Sequence, residues 1–104
     1  MRSMLVEVLP IAQEDVDQAL LYIAANDPAA AERLLDGILA ALDQASQFPY
    51  SGDTVVIGGK RRPRAYQRLY VHPYSIYYRI IDEKIVVMRV LHERMDAKRR
   101  LLDE

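Results

Sequence analysis

Tyr74-Ser75-Ile76-Tyr77-Tyr78-Arg79-Ile80-Ile81, then Asp82-Glu83-Lys84, then Ile85-Val86-Val87-Met88-Arg89-Val90-Leu91 is the stretch on which the fold turns. Two runs rich in β-branched and aromatic residues flank a polar turn. That pattern predicts an antiparallel hairpin. With a three-residue turn, Tyr74, Ile76, Tyr78, Ile80, Val86, Met88 and Val90 share one face. This face is apolar and must be covered. Ser75, Tyr77, Arg79, Val87, Arg89 and Leu91 then share the other. A turn one residue shorter changes which residues share a face across the pair.

Working outward, Gln67 to His72 reads as a strand before this hairpin, separated from it by His72-Pro73. The three runs form a meander. Lys60-Arg61-Arg62-Pro63-Arg64 reads as a basic loop, and Thr54-Val55-Val56-Ile57 as a candidate short strand that Gly58-Gly59 ends. Past the hairpin, the polar stretch Glu93 to Leu102 suits a short terminal helix. On the N-terminal side the period changes. Met4 to Leu9 is a strand-like apolar run, and Pro10 closes it and can open a helix. Ala12, Val16, Ala19, Leu20, Ile23 and Ala24 recur at helical spacing. Glu14 and Asp15 lie near that helix's start, where its dipole favours acids. Asp27 is a good N-cap, with Pro28 at the first helical position of a second helix. The stripe of that helix is Ala31, Leu34, Leu35, Ile38, Leu39, Leu42 and Ala45. Phe48-Pro49-Tyr50-Ser51-Gly52-Asp53 is turn chemistry. The expected fold is α+β: a helical hairpin packed on a small, mainly antiparallel sheet, in the order β-α-α-β-β-β with a short C-terminal helix. One domain spanning 1–104 is expected from the length.

Charge divides at the same place as structure. Residues 1–59 hold two bases and nine acids, and residues 60–104 hold twelve bases and six acids. The formal total of −1 therefore hides a polar molecule. A basic surface on an otherwise acidic domain suggests an anionic partner. The chain has no cysteine, which removes disulfide and thiolate chemistry, and two histidines argue against a zinc site. No apolar run is long enough to cross a membrane. The N-terminus carries no signal-peptide pattern, so a cytoplasmic protein is expected. Gly58-Gly59 fits no nucleotide-binding motif, and no metal or organic cofactor is implied.

Four segments together resemble the ParE/RelE toxin superfamily, the toxin half of bacterial type II toxin–antitoxin systems. They are Asn26-Asp27-Pro28-Ala29-Ala30-Ala31, Phe48-Pro49-Tyr50-Ser51-Gly52, the pair Arg68-Leu69-Tyr70-Val71 with Tyr74-Ser75-Ile76-Tyr77-Tyr78-Arg79, and Val90-Leu91-His92-Glu93-Arg94. The wording is closer to the ParE branch than to the RelE branch. The resemblance implies a toxin held inactive by a cognate antitoxin, which meets operator DNA through its own other end. ParE-like members poison DNA gyrase; RelE-like members cut mRNA on the ribosome. A non-toxic relative that only binds its antitoxin is a third reading.

For a gyrase-directed toxin the expected contact surface is basic: Lys60, Arg61, Arg62, Arg64 and Arg68, with Arg94, Lys98, Arg99 and Arg100. For a nuclease, Arg79, Arg89 and Arg94 would hold phosphate, because the planar guanidinium forks onto it. His92 would be the acid or base. The strand position resembling one RelE-branch arginine is Ser75, and no tyrosine follows Tyr78. Met95 stands where the ParE ending often carries a second arginine, and Asp53 to Tyr66 is long for the family. Arg79 and Arg89, on the open sheet face, are expected to meet acids of the antitoxin tail. The plainer reading of His92 is a partly buried, hydrogen-bonded strand residue; His72 reads as a turn residue. Tyr74 and Tyr78 read as core, while Tyr66, Tyr70 and Tyr77 are open to stacking roles.

Overall fold

A computed structural model of the chain describes residues 3–58 and 61–102. The elements run β1 (Leu5–Val8), α1 (Pro10–Ala24), α2 (Pro28–Gln47), β2 (Asp53–Ile57), β3 (Arg64–Val71), β4 (Tyr74–Ile81), β5 (Lys84–His92) and α3 (Ala97–Leu102). The sheet has five strands in the order β1-β5-β4-β3-β2. β1 lies parallel to β5, and the other pairings are antiparallel. The expected class is met. The candidate segment at Thr54–Ile57 is a true strand, so the meander has four strands rather than three.

Local signals explain the helix starts. Pro10 and Pro28 each open a helix where a missing N–H costs nothing. The Asp27 side chain accepts a hydrogen bond from the Ala30 N–H at 3.1 Å, as an N-cap should. Glu14 and Asp15 lie beyond the first turn of α1, so the helix dipole is not their role.

The first core lies between the helices and the sheet. Ala12, Val16 and Ala19 of α1 and Leu34, Ile38 and Ala45 of α2 pack on Leu69, Ile76, Tyr78, Ile85, Val87 and Val90. The α2 stripe is only partly covered: Leu35 and Leu39 line a groove between α1 and α2, and Leu39 is 57% exposed. The Tyr78 hydroxyl donates to the Pro49 carbonyl and ties the sheet to the turn after α2. Gly52 enters β2 so close to the Arg68 carbonyl that a Cβ would not fit.

A second, smaller core lies on the opposite face. Ile57, Tyr66, Tyr77, Leu91 and Leu101 are buried together there, with Leu101 supplied by α3. This face is therefore not simply exposed to solvent.

The β4–β5 register departs from the three-residue-turn expectation. The turn has two residues, Asp82 and Glu83, both with positive φ, as a type I′ hairpin requires. Ile81 pairs with Lys84, and Tyr78 with Val87. A bulge then leaves Met88 without an opposite residue, and Tyr77 pairs with Arg89 and Ile76 with Val90. The expected register holds from Tyr74 to Tyr77 and fails from Tyr78 to Ile81. Val87 consequently joins the helix-side core, and Met88 packs on the second core.

Candidate functional site

The end of β5 and the segment after it form the most chemically varied part of the surface. His92 closes β5. Its ring meets the Tyr74 ring edge-on at 5.2 Å between centroids. The Arg94 N–H donates to His92 Nδ1 at 3.1 Å. His92 is half-buried, so the plainer reading of it describes its surroundings.

Beside it runs a cleft of about 400 Å³ between α1 and the end of β5, lined by Gln18, Tyr22, Tyr74, His92, Arg94 and Met95 among others. Tyr22 is 80% exposed at its mouth. Burial, with the Tyr22 phenol nearby, raises the Tyr74 hydroxyl above its ordinary pKa. Past Met95 a second, more polar hollow is lined by Arg94, Asp96, Arg99 and Arg100. Asp96 Oδ1 accepts the Arg99 N–H at 3.2 Å, which fixes the start of α3.

The basic residues assigned to a target surface fall into two groups. Arg61 and Arg62 are exposed and Arg64 is half-buried, between or at the start of strands β2 and β3. Lys98, Arg99 and Arg100 are exposed on α3, and Arg94 is exposed before it. Leu101 packs against Ile57 and Tyr66, so α3 docks on the side of the sheet formed by the β2–β3 hairpin. Two basic segments far apart in sequence thus flank one face. Lys60 lies outside the described residues. Arg68 is half-buried: it reaches Asp53 at 3.4 Å and lies over the Tyr70 ring at 4.9 Å. Of the tyrosines open to stacking, Tyr66 and Tyr77 are buried, and Tyr70 is 60% exposed.

The nuclease candidates are not gathered at one point. Arg79 lies over the Tyr66 ring at 5.9 Å, on the second-core face. Arg89 was expected beside it, facing the antitoxin. It is instead 7% exposed and turned to α1, where its Nε and Nη2 donate to Asp15 at 2.7 and 2.9 Å. Arg89 keeps its expected pairing with Tyr77, but it lies past Val87, where β1 stops covering the edge of β5 and the side chain can reach α1. Ser75 is buried. Sequence reasoning missed Asp15, Gln18 and Tyr22 as part of this region. Asp15 beside the buried stripe residue Val16 was the available signal. Among the described residues, no group of three or more His, Asp or Glu side chains could hold a metal ion, and no helix is long and apolar enough to cross a membrane.

The model of the ParE toxin family, of the parDE type II toxin–antitoxin system, matches residues 6–97. The chain belongs to this family. It is the toxin of a type II toxin–antitoxin system, and such a toxin has a cognate antitoxin as its partner. Toxin RelE3 of Caulobacter vibrioides is 29% identical, over 84% of this chain and 91% of that protein. The solved structure titled "Chromosomal ParDE TA system from P. aeruginosa" superposes with a TM-score of 0.67 at 17% identity. That match covers 86% of this chain and 96% of the other, and it concerns the fold. The β-α-α-β order with the closing meander and C-terminal helix is thus the fold of a ParE-family toxin.

Proposed function

We propose that this ParE-family toxin acts by contact rather than turnover, and that its target is DNA gyrase. One observation carries the reading: Arg89 is bound to Asp15 toward α1 while Arg79 lies over Tyr66 on the other side of the sheet. A phosphoryl transition state needs its cations converging on one group. These two diverge. The family match supports the gyrase assignment over mRNA cleavage.

The contact surface in this reading is basic and double. Arg61, Arg62 and Arg64 form one part; Arg94, Lys98, Arg99 and Arg100 form the other. Arg79 keeps its proposed place toward the antitoxin, and Arg89 does not. The chain works as a single domain in the cytoplasm, where both gyrase and antitoxin are met.

The test uses the toxin freed from its antitoxin, with gyrase, plasmid and ATP. Loss of supercoiling with dose-dependent linear DNA, reversed by antitoxin, is expected. A folded sample that binds antitoxin, leaves gyrase untouched and cleaves mRNA on ribosomes overturns the proposal. A folded, antitoxin-binding sample that does neither and fails to arrest growth also overturns it.

A further inference from the structure

The sheet ends on β2, whose outer edge pairs with no strand among the described residues. Edge strands are usually guarded by lysine, proline or a mid-strand charge. Asp53-Thr54-Val55-Val56-Ile57 has none of these. Thr54 is exposed and Val56 is 63% exposed. The other edge, β1, differs: Glu7 places a charge inside it.

Charge is arranged along β2 with a direction. Asp53, the one acid, opens the strand, and the exposed Arg61 and Arg62 follow its end. An antiparallel pair of β2 strands centred on Val55 sets Asp53 opposite Ile57 of the second copy, next to that copy's basic loop. A parallel pair would set acid beside acid and loop beside loop. The antiparallel arrangement is also the one a two-fold axis generates, with the same patch on both copies. It places Thr54 opposite Val56 of the second copy, and their side chains lie on the same side of the sheet.

We infer that β2 is a self-pairing edge, through which two copies of this toxin join their sheets into one of ten strands. Attraction across the pair comes from backbone hydrogen bonds, the Val56–Thr54 contacts and the Asp53-to-loop charges. Salt should therefore weaken it.

The absence of native cysteine makes the register testable, because a single introduced cysteine is the only thiol. Residues directly opposite across antiparallel strands hold their Cβ atoms about 5 Å apart, near disulfide range. The antitoxin-free toxin should sediment at twice its 11.9 kDa mass at high micromolar concentration. Under mild oxidation, T54C mixed with V56C should cross-link at least about tenfold faster than either variant alone. V56K should be monomeric, with unchanged circular dichroism and unchanged antitoxin binding. A monomeric wild type overturns the inference. So does a V56K variant that stays dimeric, or T54C self-linking as fast as the mixture. Loss of antitoxin binding in V56K, without a wild-type dimer, would hand the edge to the antitoxin and also overturn it.

Discussion

Arg89 on β5 and Asp15 on α1 are joined by two hydrogen bonds of 2.7 and 2.9 Å, and the same carboxylate accepts the Val90 N–H at 3.0 Å. β1 pairs with β5 only as far as Val87, so Val90 lies on the part of the edge that β1 does not cover. Asp15 thus serves as a side-chain substitute for a missing strand partner. Arg89 neutralises the carboxylate that does so.

Removing either partner leaves a buried charge without its counterpart. Asp15→Ala and Arg89→Ala should each lower stability by about 3–5 kcal/mol. The double variant should lose clearly less than the sum, because no orphan charge remains. Urea unfolding of all four proteins checks this. Strictly additive losses would show that the pair is not coupled.

Tyr78 makes stability fall in alkali. Burial, with Tyr50 beside it, raises its hydroxyl above the ordinary value of 10.0. The native state then holds the proton after the unfolded chain has lost it. Stability is full below about pH 10 and declines as pH rises from there through the raised folded value. Tyr74 acts in the same direction. Tyr78→Phe should cost about 0.5–1.5 kcal/mol at neutral pH through the lost Pro49 hydrogen bond. It should also flatten the alkaline decline. Urea midpoints at neutral and alkaline pH are the measurement, and an unchanged decline would count against Tyr78 as its source.

Leu101 anchors α3. It is fully buried among Ile57, Tyr66, Tyr77 and Leu91. Leu101→Ala should cost about 2–5 kcal/mol. A six-residue helix does not hold together without such packing. Lys98, Arg99 and Arg100 would lose their placement, and growth arrest should weaken. Leu102→Ala, at a position 49% exposed, is the control and should leave arrest intact. Equal arrest by both variants would detach α3 from toxicity.

His92→Gln separates contact from catalysis. A contact toxin should keep its growth arrest and lose only about 0.5–1.5 kcal/mol through the weakened Arg94 N–H bond. A nuclease using His92 should lose arrest altogether. Plate-growth assays alongside thermal unfolding read both quantities.

The helices were legible because their signals are local. Pro10, Asp27 and Pro28 act within one turn of chain, and the buried faces follow from spacing alone. The outer reach of the α2 stripe was not legible, because Leu35 and Leu39 line a groove between α1 and α2 that exists only once the two helices pack on the sheet. Along β4, strict alternation sorted Tyr74, Ile76 and Tyr78 from Ser75, Tyr77 and Arg79 correctly. Along β5 the hairpin turn and the bulge each shift the pairing by one residue. No pattern in Ile85 to Leu91 distinguishes a regular strand from a bulged one.

By itself, then, the sequence determined the two helices, the meander, the acidic and basic halves and the family. Those rest on short-range chemistry and on motif order. The tertiary structure decided the parallel place of β1, the second core under α3, and the burial of Arg89. Each depends on a contact between segments far apart in the chain. An arginine on a strand carries the same one-dimensional pattern whether its charge faces water or a carboxylate 74 residues away.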